Sequence, residues 1–272
     1  MDFFDILLVK KLLSKISSGE DAGPEIQEII KQLEDTYDLI VCSGGDGTLN
    51  ELVSGMLDAR RNEVIGYIPS GSANDFGRSL GITTDVEKAL KITVDGVPTD
   101  IDVGCFNQNY FVYVAAFGTL AQVSYSTPQK LKNSFGYLAY ILQGIKAFSE
   151  LKSYELKLEY DNGYVEGSFF VGMITNSFSV GGFKNPACSL TSLNDGIFEV
   201  LLVRMPKSVM ELQSIITALL NENVESEYLV FLQTTKISVT SEPIEWTFDG
   251  EEGGQFKEGD ISIIPKAIKV IT

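Results

Sequence analysis

Histidine is absent from the 272 residues of this chain, and that absence removes several chemistries at once. No Ser-His-Asp triad, Cys-His dyad, or His-ligated zinc or haem can be built. Proton transfer must run on carboxylates, Lys, Tyr or Cys. A metal site must be mostly oxygen, which favours hard cations such as magnesium. Positive charge is also scarce: 21 Lys and Arg stand against 37 Asp and Glu, a formal net charge of −16. Without a basic stripe to neutralise phosphates, nucleic acid is not an expected partner. Cysteine is limited to Cys42, Cys105 and Cys188 with no CxxC pair, so buried free thiols in a reducing compartment are expected. No long apolar run occurs. The longest uncharged stretch, Val103 to Gln129, is interrupted by Asn107, Gln108, Asn109 and Gln122, so no transmembrane helix is expected. Met1 to Leu8 carries Asp2 and Asp5 and lacks the basic start of a signal peptide. A soluble, cytoplasmic protein is the expectation. At 44% hydrophobic residues the chain has material for a packed core.

What is present begins with alternation. Residues 24–35 read as a helix, with Pro24 in the first turn and Ile26, Ile29, Ile30 and Leu33 on one face. Tyr37 to Cys42 reads as a buried parallel strand. A helical pattern follows through Leu49, Leu52, Val53 and Met56, then a second buried strand over Val64 to Ile68. Thr84 with Glu87 predicts a capping box for a helix over 85–93. This βα pattern predicts a doubly wound parallel sheet with loops at the strand C-termini. The cluster Asp95-Gly96-Val97-Pro98 marks a boundary. Beyond it, strands are expected at 100–106, 110–116, 168–175, 196–203, 228–233, 236–240, 244–248 and 261–264, with helices near 136–151 and 208–221. Tyr154 to Tyr160 alternates, and Asp161-Asn162-Gly163 predicts a hairpin turn. The fold expectation is an α/β domain over 1–96 and a β-sandwich-like domain over 97–272, the last segment returning to the first domain.

Two loops carry the chemical interest. Ser43-Gly44-Gly45-Asp46-Gly47-Thr48 lies between a strand and a helix, where glycines admit a close ligand and a helix start favours phosphate. It is neither a Walker A loop nor a Rossmann fingerprint. Asp46 repels phosphate unless it works with magnesium or orients nearby donors; shaping the loop as an Asx-turn is the other reading. The second loop, Ser70-Gly71-Ser72-Ala73-Asn74-Asp75, ends the next strand, so the two suit one nucleotide cleft. From the residues alone, Asp249-Gly250-Glu251 is a hairpin turn, and Asn194-Asp195-Gly196 is a turn or a calcium-like loop.

The segments Gly44–Glu51 and Pro69–Gly81, with Ser192–Phe198, Phe248–Glu251 and Pro265–Val270, resemble the diacylglycerol kinase catalytic-domain family, most closely the bacterial YegS/BmrU-like lipid kinases. The resemblance runs from about residue 17 to 272. It implies an ATP- and magnesium-dependent kinase that phosphorylates a lipid hydroxyl, with an NAD kinase/diacylglycerol kinase-like α/β domain. Carried onto this chain, the nucleotide site is Gly44, Gly45, Asp46, Gly47, Thr48, Leu49, Asn50 and Glu51, with Ser72, Asn74 and Asp75. The catalytic set is Glu251 as general base with Asp46 and Asp249. The magnesium loop is Ser192, Asp195 and Ile197, and Asp102 matches an acidic family position near it. The implied partner is a lipid at a membrane surface, met transiently and peripherally, through a local patch such as Lys130-Leu131-Lys132; a homodimer is compatible. The family's opening strand and its Asn-Pro loop have no clear counterpart: Asp5–Lys10 could be a strand, followed by a short helix to Ile16. That departure keeps open a non-catalytic nucleotide- or lipid-binding module, beside an NAD kinase-like phosphotransferase.

Overall fold

The computed structural model describes residues 6–10, 23–34, 37–118, 151–177, 179–180, 183–184, 192–221 and 223–272. Lys130-Leu131-Lys132, the helix expected near 136–151, the short helix expected to end at Ile16, and Cys188 lie outside them.

The first half follows the predicted alternation. Strand β1 (Ile6–Lys10) leads to helix α1 (Gly23–Gln32), β2 (Leu39–Gly44), α2 (Asp46–Asp58), β3 (Val64–Pro69), α3 (Asp75–Ser79) and α4 (Val86–Asp95). β1 pairs in parallel with β2 from Ile6–Leu39 to Lys10–Ser43, and β2 pairs in parallel with β3. A strand thus occupies the edge that the sequence left without a clear opening strand, and no Asn-Pro pair follows it. Apolar spacing explains the helices. Ile26 and Ile30 of α1 are buried, whereas Ile29, expected on the same face, is half exposed. α1 and α2 approach closely because Gly55 has no side chain: a Cβ there would lie 3.0 Å from the Gln27 Cα. Alternation along β3 explains the two helical layers. Gly66 faces Thr93 of α4, and Tyr67 on the opposite face packs on Phe76 of α3, with ring centroids 6.2 Å apart. The cap of α4 is Asp85, which accepts the Lys88 N–H at 3.1 Å, not the expected Thr84–Glu87 box. A short carboxylate one residue later takes the same role.

The second half is antiparallel. It contains β4 (Pro98–Phe106), β5 (Asn109–Phe111), β6 (Val114–Gly118), β7 (Tyr154–Tyr160) and β8 (Gly163–Thr175). The short pair β9 (Ser179–Val180) and β10 (Phe183–Lys184) comes next, followed by β11 (Phe198–Arg204), α5 (Val209–Leu220), β12 (Leu229–Thr234), β13 (Lys236–Phe248) and β14 (Glu251–Ile271). The predicted Asp161-Asn162-Gly163 turn joins β7 to β8, with Tyr160 paired to Gly163. β6 and β7 both lie between β13 and β8. Residues from β4 through β14 share one core, including Phe106, Phe117, Phe198 and Trp246, so the sheet must curl on itself to bring them together. That curl gives the sandwich-like form the sequence predicted.

β14 joins the halves. Its first part pairs with β13, Ile261 to Ile271 pair with β4, and on the other edge Lys269 and Val270 pair in parallel with Val64 and Ile65 of β3. A bulge between Ile264 and Ile268, with Lys266 at φ 52, redirects it.

Gly104 on β4 shows how tightly the second core is built. A Cβ there would lie 2.1 Å from the Phe111 ring, itself fully buried and stacked on Phe198 at 5.6 Å. Gly104→Ala should cost about 1–3 kcal/mol through overpacking, read as a lower urea midpoint. An unchanged midpoint would show that the ring can leave this glycine at no cost.

Candidate active site

β2 delivers Gly44 to the start of α2, and Gly45 is the N-cap in extended conformation, with no side chain closing the helix start. The first-turn N–H groups of a helix have no internal partner. Those of Asp46, Gly47 and Thr48 therefore form a partly positive end suited to phosphate. From Leu49 onward the amides are committed: the Leu49 N–H donates to the Gly45 carbonyl at 3.1 Å. The Thr48 and Leu49 side chains are buried. Of the expected Gly44–Glu51 set, the backbone at the helix start is in position to meet a ligand, and the Asn50 side chain lines the neighbouring cleft.

The second loop is fastened to the first. Ser70 N–H donates to the Gly44 carbonyl at 2.9 Å, and a Cβ on Gly71 would fall 2.5 Å from the Gly45 Cα. Asn74 is buried at φ 53; its amide accepts the Gly71 N–H at 2.9 Å and donates to the Gly71 carbonyl at 2.7 Å. Asn74 thus shapes the loop, whereas Ser72 is exposed at its crest. Asp46 ties the loops together. Its two carboxylate oxygens accept the N–H groups of Asp75 at 3.1 Å and Phe76 at 3.3 Å, at the start of α3. Burial pushes the Asp46 carboxyl up to about 6; the Asp75 amide bond pulls it down, and the charges of Asp75 and Asp249 add to the rise.

Glu251 opens β14 and is exposed. Its side chain lies over the start of α2: a Cβ on Gly47 would come within 2.7 Å of Glu251 Oε1. The base expected from sequence and the phosphate loop are therefore adjacent. Beside them, a cleft of about 230 Å³ is lined by Asn50, Asp58, Tyr110, Phe248, Glu251 and Glu252 among others, with no Lys or Arg among its described lining residues.

Asp249, expected to share the chemistry, is differently engaged. It is 3% exposed, and its carboxylate accepts the N–H groups of Val112, Tyr113 and Val114 at 2.6, 2.9 and 3.0 Å and the Asn50 amide at 2.6 Å. Burial raises its pKa and those four donors oppose the rise. Such a carboxylate holds backbone and does not face a substrate.

Ser192, Asp195 and Ile197 form one turn. The Asp195 carboxylate accepts the Ile197 N–H at 3.1 Å, and Ser192 Oγ donates to Asn194 Oδ1 at 3.2 Å. Asp102, fully buried, grips this turn through the Gly196 N–H and the β14 bulge through the Lys266 N–H, both at 2.6 Å. Among the described residues no three His, Cys, Asp or Glu side chains gather to hold a metal. Asp195 supplies one exposed carboxylate, which with backbone carbonyls suits a cation that keeps much of its water, as magnesium does. Nearby, Asn176 donates to the carbonyls of Asp102 and Leu193, and its buried Oδ1 has no partner among the described residues. Nothing local in the sequence singled out Asn176; only the tertiary pairing of β8 with this turn reveals it.

Two family models match the chain. The diacylglycerol kinase catalytic domain matches residues 9–106, and the YegS C-terminal NAD kinase beta sandwich-like domain matches residues 113–272. The chain is 36% identical over 220 residues to a diacylglycerol kinase of Bacillus subtilis, covering 80% of this chain and 72% of that protein. It is 33% identical over 255 residues to a diacylglycerol kinase of Staphylococcus saprophyticus, covering 93% and 83%. In fold it is similar to a crystal structure of a diacylglycerol kinase from Bacillus anthracis str. Sterne, with a TM-score of 0.76 at 21% identity over 100% of this chain and 98% of the other.

The raised Asp46 carboxyl has a measurable sign. Its folded pKa exceeds the ordinary value of about 3.9, so the native state holds this proton more tightly. Stability should then fall as pH rises from about 4 to about 6, and flatten above. Asp46→Asn should remove that share of the slope. In urea unfolding of nucleotide- and metal-free protein, the difference between variant and wild type should move in the variant's favour across that window. A difference independent of pH would show an ordinary carboxyl.

Proposed function

The chain belongs to the diacylglycerol kinase family and is a lipid kinase, and on that premise we propose that it transfers the γ-phosphate of ATP, with magnesium, to the hydroxyl of a neutral glycerolipid-like acceptor. The observation that carries this reading is the seating of Glu251 Oε1 over Gly47 at the open start of α2. Phosphoryl transfer asks a protein mainly for positioning and charge neutralisation. The N–H groups of Asp46, Gly47 and Thr48 would cradle the phosphates, and Ser72, exposed on the fastened second loop, would offer a hydroxyl to the nucleotide. Glu251 would take the proton from the attacking lipid hydroxyl, a role that a carboxylate can fill in a chain without histidine. Asp46 would keep the two loops in register and reach a phosphate-bound ion through water. Magnesium supplies neutralisation of the phosphate charge when bound. Ser192, Asp195 and Ile197 would hold a second, structural ion, and Asn176 Oδ1 is the acceptor that one of its waters would satisfy.

The cleft beside Glu251 supports the acceptor class. Its amides, tyrosine and carboxylates offer hydrogen bonds to hydroxyl groups. Among the described residues no helix is long and apolar enough to cross a membrane. The lipid would therefore be met at the bilayer surface in transient, peripheral contact.

The deciding assay is magnesium-dependent transfer of labelled phosphate from ATP to a panel of neutral lipids in mixed micelles. Transfer to none of them would overturn the proposal. Glu251→Gln should lower turnover about 10²- to 10⁴-fold, the usual worth of a general base, while nucleotide binding persists. Gly47→Ala is the geometric counterpart. The added methyl displaces the flexible Glu251 end without obstructing backbone, so the variant should fold normally and lose turnover. Wild-type rates in either variant would remove Glu251 from the reaction.

A further inference from the structure

We infer that Asn50 and Asp249 form a latch that seats Glu251 on the phosphate loop, so that Asn50 is a positioning residue and not a nucleotide ligand. The inference rests on the kinase reading above.

Phe248 pairs with Glu251, leaving Asp249 and Gly250 as a two-residue hairpin loop with φ 50 and 85, the left-handed pair of a type I′ turn. Hairpin tips of this kind normally lie in solvent, and the turn itself needs no buried side chain. Here the tip is 3% exposed at Asp249 and driven into the molecule between the β5–β6 connection and α2. Three backbone N–H groups, from Val112, Tyr113 and Val114, fix the carboxylate to the second half. The fourth donor, Asn50 Nδ2, comes from α2, so this bond crosses from one half of the molecule to the other. The same nitrogen also donates to the Tyr110 carbonyl at 2.9 Å, which uses both amide protons. Asn50 Oδ1 accepts from Ser54 Oγ at 3.4 Å. No donor remains on this side chain for a phosphate.

Geometry makes the latch bear on Glu251. Gly47 and Asn50 are three apart on α2 and share a face. Asp249 and Glu251 are two apart across the turn. The hairpin is thus held to one helix face at Asn50, and its next carboxylate lands on that face at Gly47. Releasing the Asn50 contact leaves Asp249 three backbone donors, so the turn persists, but it removes the hydrogen bond that ties the hairpin tip to α2.

The test is a double-mutant cycle of Asn50→Ala with Glu251→Gln, read by kcat for lipid phosphorylation and by the Kd of a fluorescent ATP analogue. Asn50→Ala should lower kcat at least tenfold and leave the ATP-analogue Kd within twofold of wild type. In the Glu251→Gln background it should cost little more, because the group it positions is already gone. A Kd that rises in step with the loss of activity, or effects that multiply in the double variant, would overturn the latch. If Asn50→Ala does not fold, Asn50→Ser enters the same cycle with the same criteria. Hydrogen exchange at residues 250–253 gives a readout independent of turnover. It should accelerate in the Asn50 variant, and unchanged exchange would overturn the latch even if the wild type phosphorylated no lipid. Inactivity of the wild type on every lipid would instead overturn the kinase reading.

Discussion

Three buried aspartates organise this molecule, each by accepting backbone N–H groups from segments remote in sequence. Asp46 takes those of Asp75 and Phe76, Asp102 those of Gly196 and Lys266, and Asp249 those of Val112, Tyr113 and Val114. Bonds to an ionised acceptor contribute roughly 1.5–3 kcal/mol each, against a large desolvation cost for the carboxylate. Their value is therefore geometric more than thermodynamic: an acceptor fixed in the interior can be satisfied in one arrangement only.

The candidate site follows from this scheme. Two glycine loops can lie back to back because neither Gly45 nor Gly71 carries a side chain at their contact, and Asp46 closes the contact from one side. What is left open at the start of α2 is a set of N–H groups that no N-cap side chain closes. The second half reaches this opening through the β13–β14 hairpin, whose tip is buried at Asp249 while Glu251, two residues on, is exposed.

Much of this was legible in the sequence, and the residues show why the remainder was not. Local periodicity revealed the βα alternation, the Asp161-Asn162-Gly163 hairpin and both glycine loops, because those signals lie within a few adjacent residues. The same logic failed at Ile29, where a face one residue too wide was assigned to α1, and at Thr84, where the neighbouring Asp85 is the better-placed cap. The engagement of Asp249 and Asn50 could not be read at all. An Asp-Gly turn looks alike whether its carboxylate is in water or against three amides, and the partners of Asn50 lie in distant strands. The inward orientation of Leu49 was read from the Leu49–Leu52–Val53–Met56 pattern, and that of Thr48 could have been found, since it stands one turn before Leu52 on the same side.

The path of β14 has a consequence for how the molecule is made. The α/β half ends its run of strands at β3, whose free edge is covered only when Lys269 and Val270 pair with Val64 and Ile65. A chain emerging from the ribosome presents β3 long before those residues exist. Until they arrive, that edge is an unpaired row of amides and carbonyls, the kind of surface on which strands from other molecules pair. The first half therefore leaves this strand edge open during synthesis until the end of the second half is translated. Joining the two rests on contacts of high sequence separation, the class of contact that slows folding.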